Sequence, residues 1–274
     1  MIDLDLIKRA LSEDLQGGED VTSVSTISLE SVSAADFTVR KSGVLAGIEM
    51  AKAVLVEVGL TDIVILKHDG EVIKPGEVLM TVSGSTRAIL LAERTALNFL
   101  GHLSGIATET SKWVAAVKGT SCKVRDTRKT TPGYRVLEKY AVRMGGGTNH
   151  RMSLSDAALI KDNHIAAAGG VSQAFTAVRS AFPTSPIEIE VDTLDQLREV
   201  LPLNPDLVLL DNMTPALCAE AVAITGGKTK LEASGGISLE SAKAYADSGV
   251  DYIAIGALTH SAAVLDIGLD MRAE

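Results

Sequence analysis

The chain has 274 residues, of which 46% are hydrophobic, 22% are charged and only 3% are aromatic. This composition excludes a disordered chain, and it argues against a platform of aromatic side chains for single-stranded nucleic acid. The formal charge of −9 argues against nucleic acid or an anionic membrane as a partner.

Targeting and redox signals are also informative. No charged segment followed by an apolar segment marks a signal peptide, and no apolar run approaches the ~20 residues that a membrane helix needs. Cys122 and Cys218 lie far apart and outside any CxxC pattern, as expected for reduced structural thiols. We therefore expect a cytoplasmic protein.

The first hundred residues mix helical and extended patterns irregularly, which predicts an α+β domain. Two long helical patterns follow, because Gly101 and Gly105 interrupt the stretch from Thr86 to about Val117. The predicted helices before it are 2–15 and Ile48–Val58, and the predicted strands are 33–40, Val44–Ala46, Ile63–Leu66 and Val78–Val82.

After Val117, short apolar segments alternate with helical ones, and the last four recur about every 20 residues. This rhythm is typical of parallel strands joined by crossover helices. It favours a closed α/β barrel, with a doubly wound open sheet as the alternative. The predicted strands are Cys122–Arg125, Ala157–Ile160, Ile187–Glu190, Leu207–Leu210, Lys230–Ala233 and Tyr252–Ile255.

Ionisable or glycine-rich segments follow all six of these strands. The carboxyl ends of parallel strands form the binding face of such folds, so the segments predict one shared site. The alternative is that each segment is only a cap or a turn. The segments are Asp126–Thr130, Lys161–His164, Glu190–Asp192, Asp211–Asn212, Ser234–Gly236 and Gly256–Ala257.

The residue types in these segments indicate small anionic ligands. Glu190 and Asp211 suit Mg²⁺, directly or through water, although acids that hydrogen-bond sugar hydroxyls are an alternative. Ser234–Gly236 and Gly256–Ala257 suit a phosphate, because small residues let backbone N–H groups approach it. Cationic donors for carboxylates and phosphates are Arg128, Lys129, His150, Arg151 and Lys161.

Most of these donors belong to an unusually basic segment, residues 123–151. It holds eight basic and two acidic residues, a net charge of +6, so the other 245 residues sum to −15. A solvated helix face is the ordinary explanation for such a run of charge. Confinement of part of it to a pocket is the functional one.

Motifs in series resemble the quinolinate phosphoribosyltransferase family. The resemblance extends over nearly the whole chain, including Glu93–Asn98 and the tail Leu265–Met271. The motifs are DTRKTTPGYR at 126–135, GGGTNHR at 145–151, LIKDNH at 159–164, EIEVD at 188–192, LLDN at 209–212, ASGG at 233–236 and AIGALTH at 254–260.

The resemblance implies an N-terminal α/β sandwich domain over residues 1–104, to which the tail 265–274 returns. It implies an incomplete, about seven-stranded α/β barrel over residues 105–264. It also implies a head-to-tail homodimer in which Arg94 of one subunit reaches the site of the other, and it leaves a higher oligomer open. Neither nucleic acid nor a membrane is an implied partner.

The implied reaction joins quinolinate and 5-phosphoribosyl-1-pyrophosphate, with decarboxylation, to give nicotinate mononucleotide, pyrophosphate and CO₂ in de novo NAD biosynthesis. Mg²⁺ is the implied cofactor, and the implied catalytic residues are Lys129, Lys161, Glu190 and Asp211. The implied substrate-binding residues are Arg94, Thr127, Arg128, Lys129, His150, Arg151, Lys161, Glu190, Asp211, Ser234, Gly235, Gly236, Ile255, Gly256 and Ala257.

Two other classes of function stay open at this point. One is a related enzyme, such as a nicotinate phosphoribosyltransferase or a paralogue associated with molybdate transport. The other is a metabolite-binding module without catalysis. Turnover of quinolinate distinguishes the first interpretation from both of these.

Overall fold

The computed structural model describes residues 2–272, which form two units. One unit contains the residues up to Glu109, Tyr140–Gly146 and the residues from Ser261 onward, and the other contains Thr110–Lys139 and Gly147–His260. The segment Tyr140–Gly146 therefore groups with the first unit, although the resemblance placed it within the barrel domain.

The described helices and strands follow most of the predicted patterns. The helices are α1 Leu4–Leu15, α2 Val21–Thr26, α3 Ile48–Glu57, α4 Thr86–Ala116, α5 Arg135–Met144, α6 Asp162–Ala168, α7 Val171–Ala181, α8 Leu194–Val200, α9 Pro215–Thr225, α10 Ala242–Asp247 and α11 Ala257–His260. The strands are β1 Val32–Val39, β2 Gly43–Val44, β3 Asp62–Ile65, β4 Val72–Ile73, β5 Val78–Ser85, β6 Lys123–Arg125, β7 Ala158–Ile160, β8 Ile187–Val191, β9 Leu207–Asp211, β10 Lys230–Ser234, β11 Tyr252–Ala254 and β12 Ile267–Met271.

A four-stranded antiparallel sheet forms the centre of the first unit, with the strand order β12–β1–β5–β3. Strand β1 alternates as a half-buried strand does, and Ala35, Phe37 and Val39 are its buried core residues. The tail strand β12 pairs with β1, so that Leu269 lies opposite Phe37.

Helix α4 corrects one prediction, because it is continuous where two helices were expected. Gly101 and Gly105 do not break it. A Cβ atom on Gly105 would lie 2.2 Å from the carbonyl oxygen of Ala263, and one on Gly101 would lie 2.8 Å from a Val264 methyl group. The glycines are therefore positions where the helix approaches the 263–265 segment closely, and this packing outweighs their low helix propensity.

The second unit is built on a parallel sheet with the strand order β6–β11–β10–β9–β8–β7. The first strand of this unit pairs with the last, as a barrel requires, and β6 and β7 are the two ends of the sheet. A single parallel bridge from Arg125 to Thr148 adds a seventh position beside β6. The prediction of a mixed α/β fold with an incomplete barrel is thus confirmed.

The strands begin and end where short apolar runs meet turn residues. In β8 all five residues are buried, including Glu188 and Glu190. Since residues two apart point to the same side of a strand, both carboxylates share one face of the sheet.

Within residues 2–272, no helix is long and apolar enough to span a membrane.

Candidate functional site

A cavity of about 460 Å³ lies in the second unit at the carboxyl ends of the strands. It brings together residues that are far apart in the sequence but follow neighbouring strands. The predicted site residues that line it are Thr127, Arg128, Lys129, His150, Arg151, Lys161, Asp211, Ser234 and Gly235. The lining also includes Asn212, from one of the segments predicted to form the shared site. The remaining lining residues, Leu159, Leu209, Glu232 and Ala254, were not predicted.

One wall of the cavity is cationic. Burial, followed by the charge of Arg128, lowers the pKa of Arg151, so the two guanidinium groups lie within electrostatic reach of each other. Among the described residues, the buried Nε atoms of both arginines have no hydrogen-bond partner. Arg151 is oriented by its Nη1, which donates to the carbonyl of Ala157 at 2.9 Å. An anion between the two guanidinium groups would relieve their repulsion and satisfy these donors.

Lys129 lies on a loop that is held at several points. Its backbone N–H donates to Oγ1 of Thr127 at 3.0 Å, and its carbonyl accepts from Oγ1 of Thr259 at 2.7 Å. A Cβ atom on Gly256 would lie 3.0 Å from the Lys129 side chain, so Gly256 makes room for that side chain. The loop thus presents Lys129 to the cavity in one orientation.

Two acids also belong to this region: Asp211 lines the cavity, and Glu190 contacts the lining residue Lys161. Nζ of Lys161 donates to Oε2 of Glu190, and the backbone N–H of Asp162 lies 3.4 Å from Oε1 of the same carboxylate. Burial, followed by the charge of Glu190, raises the pKa of Asp211. Glu190 and Asp211 lie at the carboxyl-terminal ends of the neighbouring strands β8 and β9, so they are close enough to repel each other. A cation near them would be stabilised.

The Ser234–Gly236 turn requires glycine at its centre. Gly235 has a φ of +90°, and a Cβ atom there would lie 2.2 Å from Oδ1 of Asn212. The backbone N–H of Asn212 donates to the carbonyl of Ser234 at 2.9 Å. This close approach keeps the backbone of the turn bare at the cavity wall.

Some predicted site residues do not line the cavity. Gly236 and Ile255 adjoin the lining residues Gly235 and Ala254 in the sequence, and Gly256 and Ala257 follow Ile255. Glu190 contacts the lining residue Lys161. Arg94 is exposed on α4 in the first unit.

His150 lines the cavity, but the expectation that it supplies positive charge is corrected. Its Nδ1 accepts from the backbone N–H of Arg151 at 2.7 Å, and its Nε2 lies 2.7 Å from Oε2 of Glu188. Burial lowers the pKa of His150 to about 4. The ring is therefore neutral near pH 7, with its proton on Nε2, and it supports the cavity wall from behind Arg151.

Two buried acids were missed, of which Glu232 lines the cavity and Glu188 contacts the lining residue His150. Burial raises the pKa of Glu188 and of Glu232 to about 7 each. Nη1 of Arg125 donates to Oε2 of Glu232 at 2.8 Å, and the Arg125 guanidinium stacks 4.3 Å from the centre of the Tyr252 ring. The available signal was an acid at an interior position of an otherwise apolar strand.

The ligand atoms of His150, Glu188 and Glu232 lie within 4.8 Å of one another, a spacing that fits a metal ion. The hydrogen bonds contradict such a site. Nδ1 of His150 accepts a backbone N–H, so Nε2 must carry the ring proton and has no lone pair for a metal. The three side chains form a hydrogen-bonded cluster.

Comparisons with known proteins show the family of the chain. The model of the C-terminal domain of quinolinate phosphoribosyl transferase matches residues 106–270, and the model of the N-terminal domain matches residues 20–104.

Relatives cover nearly the full length of the chain. A nicotinate-nucleotide pyrophosphorylase [carboxylating] from Mycobacterium leprae is 50% identical over 273 residues, which cover 97% of this chain and 96% of the relative. A probable enzyme of the same name from Bacillus subtilis is 41% identical, covering 97% and 92%. The crystal structure of NadC from Streptococcus pyogenes superposes with a TM-score of 0.93 at 38% identity and covers 98% of this chain and 96% of that one. The chain belongs to the quinolinate phosphoribosyl transferase family.

Proposed function

We propose that this protein transfers the phosphoribosyl group of 5-phosphoribosyl-1-pyrophosphate to quinolinate and releases pyrophosphate and CO₂. The product, nicotinate mononucleotide, is a precursor in NAD biosynthesis. Family membership over both domains supports the reaction. The observation that carries it to this cavity is the cationic wall, where Arg128 and Arg151 have unpartnered buried Nε donors among the described residues.

Quinolinate has two adjacent carboxylates on a pyridine ring, and the cavity suits this shape. Arg128, Arg151 and Lys161 would bind the carboxylates, since a guanidinium matches a carboxylate with two parallel hydrogen bonds. Leu159 and Leu209 provide apolar surface for the ring. Neutral His150 would hold Arg151 in place.

The phosphoribosyl donor would occupy the adjoining part of the cavity. Lys129 and Thr127 would lie against its pyrophosphate. The 5-phosphate would bind the turn at Ser234, Gly235 and Gly236 and the segment Ile255–Ala257, where small residues leave backbone N–H groups accessible. In this arrangement the arginines and Lys161 bind quinolinate, and the glycine-containing segments after the last two strands bind the 5-phosphate of the donor.

The carboxylates of Glu190 and Asp211 fit Mg²⁺, because two acids that repel each other are stabilised by a shared cation. We propose that they hold it directly or through water. When bound, Mg²⁺ supplies positive charge near the leaving pyrophosphate. Glu190 already accepts from Lys161, so the two cations would share this carboxylate.

The remaining chemistry needs only positioned charge. As the bond from C1 of the ribose to pyrophosphate breaks, Lys129 offsets the charge on the leaving group, and Asp211 stabilises the positive charge that develops on the ribose. The pyridine nitrogen attacks C1. CO₂ leaves, the electron pair of the broken bond stays on ring carbon 2, where the adjacent pyridinium nitrogen stabilises it, and a solvent proton then adds to that carbon. No covalent enzyme intermediate forms.

The assembly is part of the proposal. Arg94 is exposed on α4, and the family resemblance supports a homodimer in which Arg94 of a second copy completes the quinolinate site. Cytoplasmic location stays a prediction from the sequence.

The test is direct. Purified protein with quinolinate labelled in its 2-carboxylate, the phosphoribosyl donor and Mg²⁺ should release labelled CO₂ and form nicotinate mononucleotide in equal amounts. Nicotinate in place of quinolinate is the control. Turnover of nicotinate without turnover of quinolinate, or tight binding of quinolinate without turnover, would overturn the proposal.

A further inference from the structure

We propose that Asp126 is a positioning residue that holds the two cation-bearing segments of the cavity in fixed relation to each other. This inference rests on the proposed function of the cavity. The first segment is Thr127–Lys129 and the second is Asn149–Arg151. Asp126 directly precedes the first, its side chain is completely buried, and among the described residues it is not part of the cavity wall.

The Asp126 carboxylate bonds directly to the second segment. Its Oδ1 accepts from the backbone N–H of His150 at 2.8 Å, and its Oδ2 accepts from Nδ2 of Asn149. The backbone N–H of Asp126 donates to the carbonyl of Thr148 at 3.2 Å. One residue thus joins the start of the first segment to the start of the second through three hydrogen bonds.

Both segments need such an anchor. Gly145–Gly147 precedes the second segment, and glycine backbone does not by itself hold one orientation. Arg128 and Arg151, one from each segment, also repel each other, as the lowered pKa of Arg151 shows. Without a fixed connection, the two guanidinium groups would move apart before a ligand binds, and the ligand would have to bring them back.

Lys139 has a different role. It is completely buried, and its Nζ donates to Oδ1 of Asp126. The ion pair compensates the charge of the carboxylate, which would be costly to bury alone. Its backbone carbonyl accepts from Nδ2 of Asn149 at 2.8 Å, a bond that survives replacement of the side chain. The Lys139 ammonium also lies 3.4 Å from the carbonyl of Thr127, a long contact compared with the two bonds that the carboxylate accepts from the second segment. The carboxylate therefore joins the two segments, and the main role of the ammonium group is to neutralise it.

The two roles predict that replacement of Asp126 raises KM, whereas replacement of Lys139 lowers stability and leaves KM nearly unchanged. Asp126→Asn, Lys139→Met and the double variant are compared by kcat and KM for quinolinate, by titration of active sites and by urea unfolding. The amide introduced by Asp126→Asn would present a donor to groups that are themselves donors. We expect KM to rise at least about tenfold in Asp126→Asn and in the double variant. Lys139→Met should be less stable, with KM within about twofold of the wild type.

The double variant keeps the test decisive if Asp126→Asn does not fold, because it leaves no buried charge without a partner. A merely structural role would lower the concentration of active sites and leave KM unchanged. Wild-type KM in the double variant, or an equal rise of KM in Lys139→Met, would therefore overturn the positioning role. Absence of quinolinate turnover in the wild type would instead contradict the proposed function.

Discussion

Replacing Glu232 by Gln should change how the stability of the second unit depends on pH. Burial, followed by the charge of Glu188, raises the pKa of Glu232 from 4.5 to about 7. The unfolded chain therefore loses this proton near pH 4.5, whereas the folded protein keeps it until about pH 7. Between these values Glu232 binds more of its proton in the folded state, so its contribution to the free energy of unfolding falls as the pH rises.

The magnitude follows from the size of the shift. The difference between 4.5 and about 7 is about 2.5 pKa units, which at about 1.4 kcal/mol per unit amounts to as much as about 3.5 kcal/mol. Glu232→Gln removes the ionisation but keeps an oxygen for Nη1 of Arg125, which lies 2.8 Å from Oε2. The variant should thus gain up to this amount over the wild type as the pH rises from about 4.5 to about 8.

His150 titrates in the opposite sense. Burial lowers its pKa from 6.5 to about 4, so its contribution to stability is complete above pH 6.5 and is lost as the pH falls towards 4. Both proteins contain His150, and the comparison between them largely removes its effect.

Urea unfolding at several pH values measures the difference. The fluorescence of Trp113, the single tryptophan and a buried residue of the second unit, reports unfolding of that unit. Glu220→Gln, at an exposed position on α9, is the matched control and should differ from the wild type by a constant amount. A constant difference for Glu232→Gln as well would refute the reasoning, as would one that favours the wild type as the pH rises.

Three further outcomes are expected. Arg94→Ala and Lys161→Ala should each be inactive. One of the two sites of their heterodimer is intact, so a verified heterodimer should have about half of the wild-type activity, and a random equal mixture about a quarter. Verified heterodimers without activity would contradict the shared site. Gly235→Ala should raise KM for the phosphoribosyl donor at least about tenfold, because a Cβ atom there would lie 2.2 Å from a neighbouring side-chain oxygen. Gly226→Ala is the control: Gly226 has a φ of +59° but open space around it, so this variant should leave KM unchanged. Gly105→Ala should destabilise the protein by about 1–3 kcal/mol in thermal unfolding, the reverse of the usual helix propensity, and a stabilised variant would show that the close approach has no energetic weight.

The strands of the barrel could be predicted because each is a short apolar run that ends at polar or glycine residues. The polar residues at these ends also identified most of the cavity wall, since parallel strands bring their carboxyl ends together. The two helices predicted in place of α4 show the limit of local patterns. Whether Gly105 breaks a helix or accommodates a neighbour depends on Ala263, which is remote in the sequence.

The charge of His150 could not be predicted from the local sequence either, because it depends on residues that are remote in the sequence. Its pKa depends on burial and next on the charge of Glu232, which the fold of the sheet brings near it. Glu188 and Glu232 were not predicted because they lie inside strands, two residues before Glu190 and Ser234, and only residues at strand ends were used to predict the site. Acids at interior positions of apolar strands are as informative as acids at strand ends, because burial must be compensated by a partner.

The basic segment 123–151 is best understood together with these buried acids. Arg125 pairs with Glu232 and Lys139 pairs with Asp126, so part of the positive charge is neutralised within the barrel. Arg128, Lys129 and Arg151 line the cavity instead. A set of cations without the buried acids would repel itself in the absence of ligand. The buried acids stabilise the cations of the segment, but repulsion remains at Arg151. A small polyanion relieves this repulsion when it binds. The attraction for anions is therefore concentrated in the pocket and is not spread over the surface.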